Sequence, residues 1–176
     1  MAAYYYLIAS LPMLKFNEAP PISSEKFLIE AQKELGKRPF SQVASLFSDT
    51  PAVDHPYLEG WEAFKGEATS LLARLRANRL NFAFKEEEVK GDLKLEARLR
   101  EIVQHPNPLD GELMLMELYW ERAAELSRMK VFTIEVLFTY AIQLNILERI
   151  ALFTQEDGNR EFNQLFTNLQ SIIKSI

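Results

Sequence analysis

Asn107-Pro108-Leu109-Asp110, running into Leu113-Met114-Leu115-Met116-Glu117-Leu118-Tyr119-Trp120, is the stretch that decides the fold. Asn107 has the side chain of a helix cap, Pro108 suits the first helical position, and Asp110 puts negative charge at the positive end of the helix dipole. The run that follows is apolar on nearly every side, as expected of a buried helix. The pattern loosens at Ser127-Arg128-Met129-Lys130 and resumes at Thr133, a second cap, with Phe132 placed to staple onto Leu137. The second helix would turn Ile134, Leu137, Phe138, Ala141, Leu144 and Ile150 or Ala151 inward. The short corner at 128–132 makes the two an antiparallel hairpin. Trp120 and Tyr140 should then lie in the interior or on a partner surface.

Working outward, Asp92 can cap a helix to Gln104, with Leu95, Leu99, Ile102 and Val103 inward. Pro56 can open a helix to about Leu80 on Trp61, Phe64, Ala68, Leu71, Leu72 and Leu75. Ser23 or Ser24 caps a helix through Leu35 that Gly36 should stop, and Pro39 can open a shorter one through Phe47. Residues 2–11 have the tyrosines of a strand but no strand to pair with, and read as a short helix ended by Pro12. Glu161 to Ile173 spaces Phe162, Leu165, Phe166, Leu169 and Ile172 as one helix face, after a turn at 155–159. The segment 81–90 is ambiguous. The expected fold is all-α, a bundle of about six or seven helices around a long central hairpin. It forms a single domain over 1–176, with a candidate hinge at 48–55.

Composition narrows the function. The chain has 176 residues, net charge −5 and no cysteine, which excludes disulfides and thiolate chemistry. The richest basic stretch, Lys65 to Arg100, holds nine cations against six carboxylates, a mixed solvated face and not a nucleic-acid footprint. The apolar window 131–153 contains Glu135, Gln143, Asn145, Glu148 and Arg149, so no span and no direct membrane insertion is expected. The two histidines, His55 and His105, each precede proline and lack metal-ligand spacing. They read as surface turns. Glu117, Glu121 and Glu125 form a stripe best read as a polar face paired with residues such as Arg122 and Arg128. No catalytic residue, cofactor or metal is expected. Asn145 falls near the buried stripe and needs a hydrogen-bond partner there, in an adjoining backbone or in a partner protein.

Four stretches carry a resemblance. They are Tyr4-Tyr5-Tyr6-Leu7-Ile8-Ala9-Ser10-Leu11-Pro12, Ile22-Ser23-Ser24-Glu25-Lys26-Phe27-Leu28, Asn107-Pro108-Leu109-Asp110-Gly111-Glu112, and Tyr140-Ala141-Ile142-Gln143-Leu144-Asn145-Ile146-Leu147-Glu148-Arg149. Together they resemble a bacterial family found alongside V-type (A/V-type) ATPase subunits. That family is itself distantly similar to the C-type connector of V/A-type ATPases, the d-type of eukaryotes. The resemblance implies a non-catalytic, cytoplasmic structural subunit, held at the inner membrane through the ATPase complex. Its partners would be the central-stalk subunits and the membrane proteolipid ring. The C-type connectors are longer, so this chain lacks room for all of their repeated helical modules. The alternatives are a regulatory or assembly factor that binds the ATPase transiently, a general helical interaction module, or an enzyme with a scattered acidic site. The candidate partner-interface residues are Tyr4, Tyr5, Trp120, Tyr140, Asn145, Glu148 and Arg149.

Overall fold

The computed structural model describes residues 2–48, 54–80 and 92–153, and these are all-helical. Their seven helices are α1 (Ala2–Ser10), α2 (Ser24–Glu34), α3 (Lys37–Ser45), α4 (Pro56–Arg79), α5 (Leu93–Gln104), α6 (Pro108–Leu126) and α7 (Ile134–Ala151). The expected turn at 155–159, the helix at 161–173 and the segment 81–90 lie outside the described residues, as does most of the candidate hinge at 48–55.

The helix starts follow local chemistry. Asn107 Oδ1 accepts from the Leu109 N–H at 3.1 Å, Asp92 Oδ1 from Lys94 at 2.9 Å, and Ser23 Oγ from Lys26 at 3.3 Å. Each satisfies a backbone donor that the first turn leaves unpaired. His55 is a cap and not the plain surface turn that its sequence suggests. Its Nδ1 accepts from the Tyr57 N–H at 3.1 Å, and its ring lies edge-on to Phe138 at 5.2 Å.

Three other boundaries differ from expectation. Gly36 does not end α2 in a left-handed turn. Leu35 ends it in extended backbone, and Gly36, also extended, is the N-cap of α3, which opens at Lys37 and not at Pro39. Thr133 occupies the N-cap of α7 but makes no side-chain capping bond. Phe132 takes a left-handed φ of 54° and rests on the Tyr5 ring at 4.7 Å, which joins α7's entry to α1.

α6 and α7 form the expected hairpin, and α4 and α5 pack as a second pair against α6. α7 is the central element, touching α1, α2, α3 and α6. Leu137, Phe138, Ala141 and Leu144 are fully buried, and Ile142, Ile146 and Leu147 are buried with them. The buried surface is therefore wider than one stripe, because neighbours cover α7 on several sides. Ile134 and Ile150 are half-buried and Ala151 is exposed. Burying a Phe- or Leu-sized side chain stabilises by about 1.5–3 kcal/mol, so this helix and α4, which buries Tyr57, Leu58, Trp61, Phe64, Leu71 and Leu72, supply much of the core. A buried polar knot crosses it. Tyr57 Oη and Thr139 Oγ1 each donate to the Ala123 carbonyl at 3.1 Å and lie 2.8 Å from one another.

Candidate interaction surface

α7 carries its polar residues on the sides that face the N-terminal third. Tyr140 Oη donates to the Pro12 carbonyl at 3.1 Å, and its ring meets Phe27 at 5.2 Å. Burial, aided by the charge of Glu30, pushes the Tyr140 phenol up to about 12. Asn145 Nδ2 donates to the Leu46 carbonyl at 3.4 Å. Glu148 Oε1 accepts from the Ser24 N–H at 2.6 Å, which sets a carboxylate against the positive N-terminus of α2. The three residues thus reach the ends of α1, α3 and α2 in turn. They are struts within the chain.

Those contacts redistribute the seven candidate interface residues. Tyr140, Asn145 and Glu148 are committed internally. Asn145 is exposed, which corrects the expectation that it approaches the buried stripe. Its amide hydrates freely on one side, so no buried polar cost arises. Trp120 is half-buried, with the ring of Phe16 at 5.6 Å. Tyr4 is half-buried against the core. Arg149 is exposed on the rim of a shallow cavity of about 310 Å³ shared with Arg76, Glu112 and Tyr119. Tyr5 alone of the seven stands mainly outward as part of an apolar surface.

That surface is larger than Tyr5. The Tyr6 ring packs edge-on to Tyr5 at 5.6 Å, and the Phe132 ring lies tilted to Tyr5 at 4.7 Å. Met129 and Val131 precede Phe132 in the α6–α7 corner and are also exposed, Met129 92% and Val131 66%. Arg128 and Lys130 alternate with them, both exposed. Periodicity could not reveal this cluster. Phe132 fits a helix staple on paper, and the left-handed turns at Met129 (φ 67°) and Phe132 use no glycine.

Two of the three carboxylates of the α6 stripe are ion-paired. Glu121 meets Arg98 at 2.5 Å, a different partner from those expected, and Glu125 meets Arg122 at 2.7 Å. Glu117 is exposed. A cavity of about 440 Å³ between α4, α5 and α6 brings His105 and Glu112 together with Arg76 and Arg79. Glu112 is paired with Arg76 at 3.3 Å, the His105 ring bonds the Asn107 backbone, and Arg79 donates to the Val103 carbonyl. Just before α4, Asp54 accepts from Gln42 Nε2 at 2.7 Å, and that bond, with Arg38, holds its carboxyl below the usual range. Among the described residues no three His, Cys, Asp or Glu side chains gather as a metal site.

Among known proteins, a family model described as a protein of unknown function, DUF2764, matches residues 92–173, which takes in α5, α6 and α7. No curated protein and no solved structure matches the chain.

Proposed function

We propose that this chain is a non-catalytic structural subunit of a bacterial V-type ATPase or ATP synthase, connecting the central stalk to the membrane proteolipid ring. One observation carries the reading. Three of the four stretches that resemble the ATPase-associated family clasp one another in space. Tyr140 of the last stretch holds Pro12 of the first at 3.1 Å, and Glu148 of the last holds Ser24 of the second at 2.6 Å. Residues that share a resemblance and also interlock act as one structural unit. A connector needs such a unit, because torque passes only through a body that does not yield between its two contacts.

The exposed aromatic corner supplies a contact surface on that body, of the kind that marks an interaction site. The carboxylates of α6 serve as ion pairs and a solvated face, in keeping with a mechanical role. The chain would be cytoplasmic and peripheral, reaching the membrane through the complex.

A pull-down with the tagged full chain from detergent-solubilised membranes tests the reading. Stalk and ring subunits should be recovered together and should survive a high-salt wash. Recovery lost at high salt favours the transient regulatory or assembly factor, since polar interfaces are screened first. Recovery of neither sector at any salt overturns both.

A further inference from the structure

Five of the large apolar side chains left exposed gather at the α6–α7 corner and the outer face of α1: Tyr5, Tyr6, Met129, Val131 and Phe132. Three features limit what can cover them. The first is exposure. Met129 and Val131 are 92% and 66% exposed on a short interhelical corner, so this chain itself shelters neither side chain. A protein partner would need pockets fitted to them, whereas a fluid surface needs none. The second is charge. Arg128 and Lys130 are exposed beside the patch, and α1 carries no charged residue from Ala2 to Ser10. Of the carboxylates close by, Glu135 is mostly covered and sits 3.8 Å from Lys130, and Glu125 is already paired with Arg122 at 2.7 Å, which leaves the Arg128 charge uncompensated. The corner is therefore cationic on a chain whose net charge is −5. The third is conformation. Met129 and Phe132 hold left-handed φ values of 67° and 54°, where glycine or asparagine would be relaxed. Strain of this kind collects at functional positions.

We infer that this corner makes an interfacial contact with an anionic phospholipid surface. Met129, Val131 and Phe132 enter the headgroup zone, and Tyr5 and Tyr6 lie along it with their hydroxyls in water. Arg128 and Lys130 reach the lipid phosphates. The acidic remainder of the chain is repelled, which turns the corner toward the surface. No helix among the described residues is long and apolar enough to cross a membrane, so the contact is lateral. The inference extends the ATPase reading by assigning the membrane-facing end, and it replaces the expectation that membrane association runs only through protein.

Sedimentation of the purified full chain with vesicles tests it without any ATPase present. Binding should be strong to phosphatidylcholine containing about one third phosphatidylglycerol and weak to phosphatidylcholine alone. Arg128→Ser with Lys130→Ser should weaken it roughly tenfold to thirtyfold. Met129→Ser with Val131→Ser should weaken it about tenfold or more. Lys65→Ser with Arg100→Ser, an equal loss of charge elsewhere, should leave it unchanged. Absence of binding to anionic vesicles overturns the inference, and so does an equal loss in the control pair. If the corner variants bind vesicles like the parent but lose the ATPase subunits in the pull-down, the corner is a protein-docking site and the lipid inference falls. A chain that binds vesicles yet recovers no ATPase subunit sinks the functional reading and leaves this one standing.

Discussion

Removing the two hydroxyls that meet Ala123, singly and together, should reveal a buried carbonyl served by two interchangeable donors. Ala123 is fully buried in the last turn of α6, where helix carbonyls run out of in-helix donors. Tyr57 Oη and Thr139 Oγ1 are both within 3.1 Å of its carbonyl and 2.8 Å apart. Two hydroxyl protons therefore serve three contacts. Burial also drives the Tyr57 phenol far above its usual pKa, so both protons stay in place across the working pH range. Tyr57→Phe leaves the Thr139 proton on the carbonyl, and Thr139→Val leaves that of Tyr57. Each should cost about 0.5–1.5 kcal/mol, the net worth of one hydrogen bond. The double variant leaves a buried carbonyl with no donor, an added penalty of about 1–3 kcal/mol. Its total should thus exceed the sum of the singles by roughly 1–2 kcal/mol. Urea unfolding followed by far-ultraviolet circular dichroism measures all four proteins, with unchanged m values confirming an unaltered native state. Additivity within about 0.5 kcal/mol would refute the shared-carbonyl argument.

Three further outcomes follow from the same contacts. Gly66→Ala should stabilise the chain by about 0.5–1 kcal/mol in urea unfolding, because Gly66 is exposed inside α4 and an added Cβ meets nothing within 4 Å. Met129→Gly should raise stability by about 0.5–1 kcal/mol through relief of its left-handed backbone, seen as a higher urea midpoint. For Tyr140, the folded pKa of about 12 lies above the reference value of 10.0. The neutral phenol therefore stabilises the fold fully below pH 10.0, and that contribution is lost as the pH rises through about 12. Tyr140→Phe should flatten the fall in stability over that window and remove one late-ionising phenol from an ultraviolet titration.

Much of the fold was legible because short-range chemistry dictates it. Asn107-Pro108, Asp92 and Ser23 announce helix starts through the residue itself, and the apolar spacing of 113–120 and 137–147 marks the central hairpin. Residues 2–11 also fold as the short helix expected, since no partner strand exists among the described residues to compete. Legibility failed where a residue's role depends on distant chain. Glu148 reads as a candidate partner-interface residue, yet it is engaged within the chain by Ser24, 124 positions earlier. Tyr57 and Thr139 are separated by 82 positions and carry no motif. Phe132 satisfies the staple spacing, but the left-handed corner sends its ring to Tyr5. The site was therefore half visible. Tyr5 was marked and its neighbours Tyr6, Met129, Val131 and Phe132 were not, because exposure of an apolar residue leaves no trace in periodicity.

The connector reading is tested most directly by membranes prepared from cells that lack this chain. ATP hydrolysis and ATP-driven ion transport would be measured side by side on the same preparation. A connector between stalk and ring predicts that hydrolysis by the soluble sector persists while ion transport collapses, with both coupled again on adding the chain back. Hydrolysis and transport that remain coupled at parental rates would contradict it.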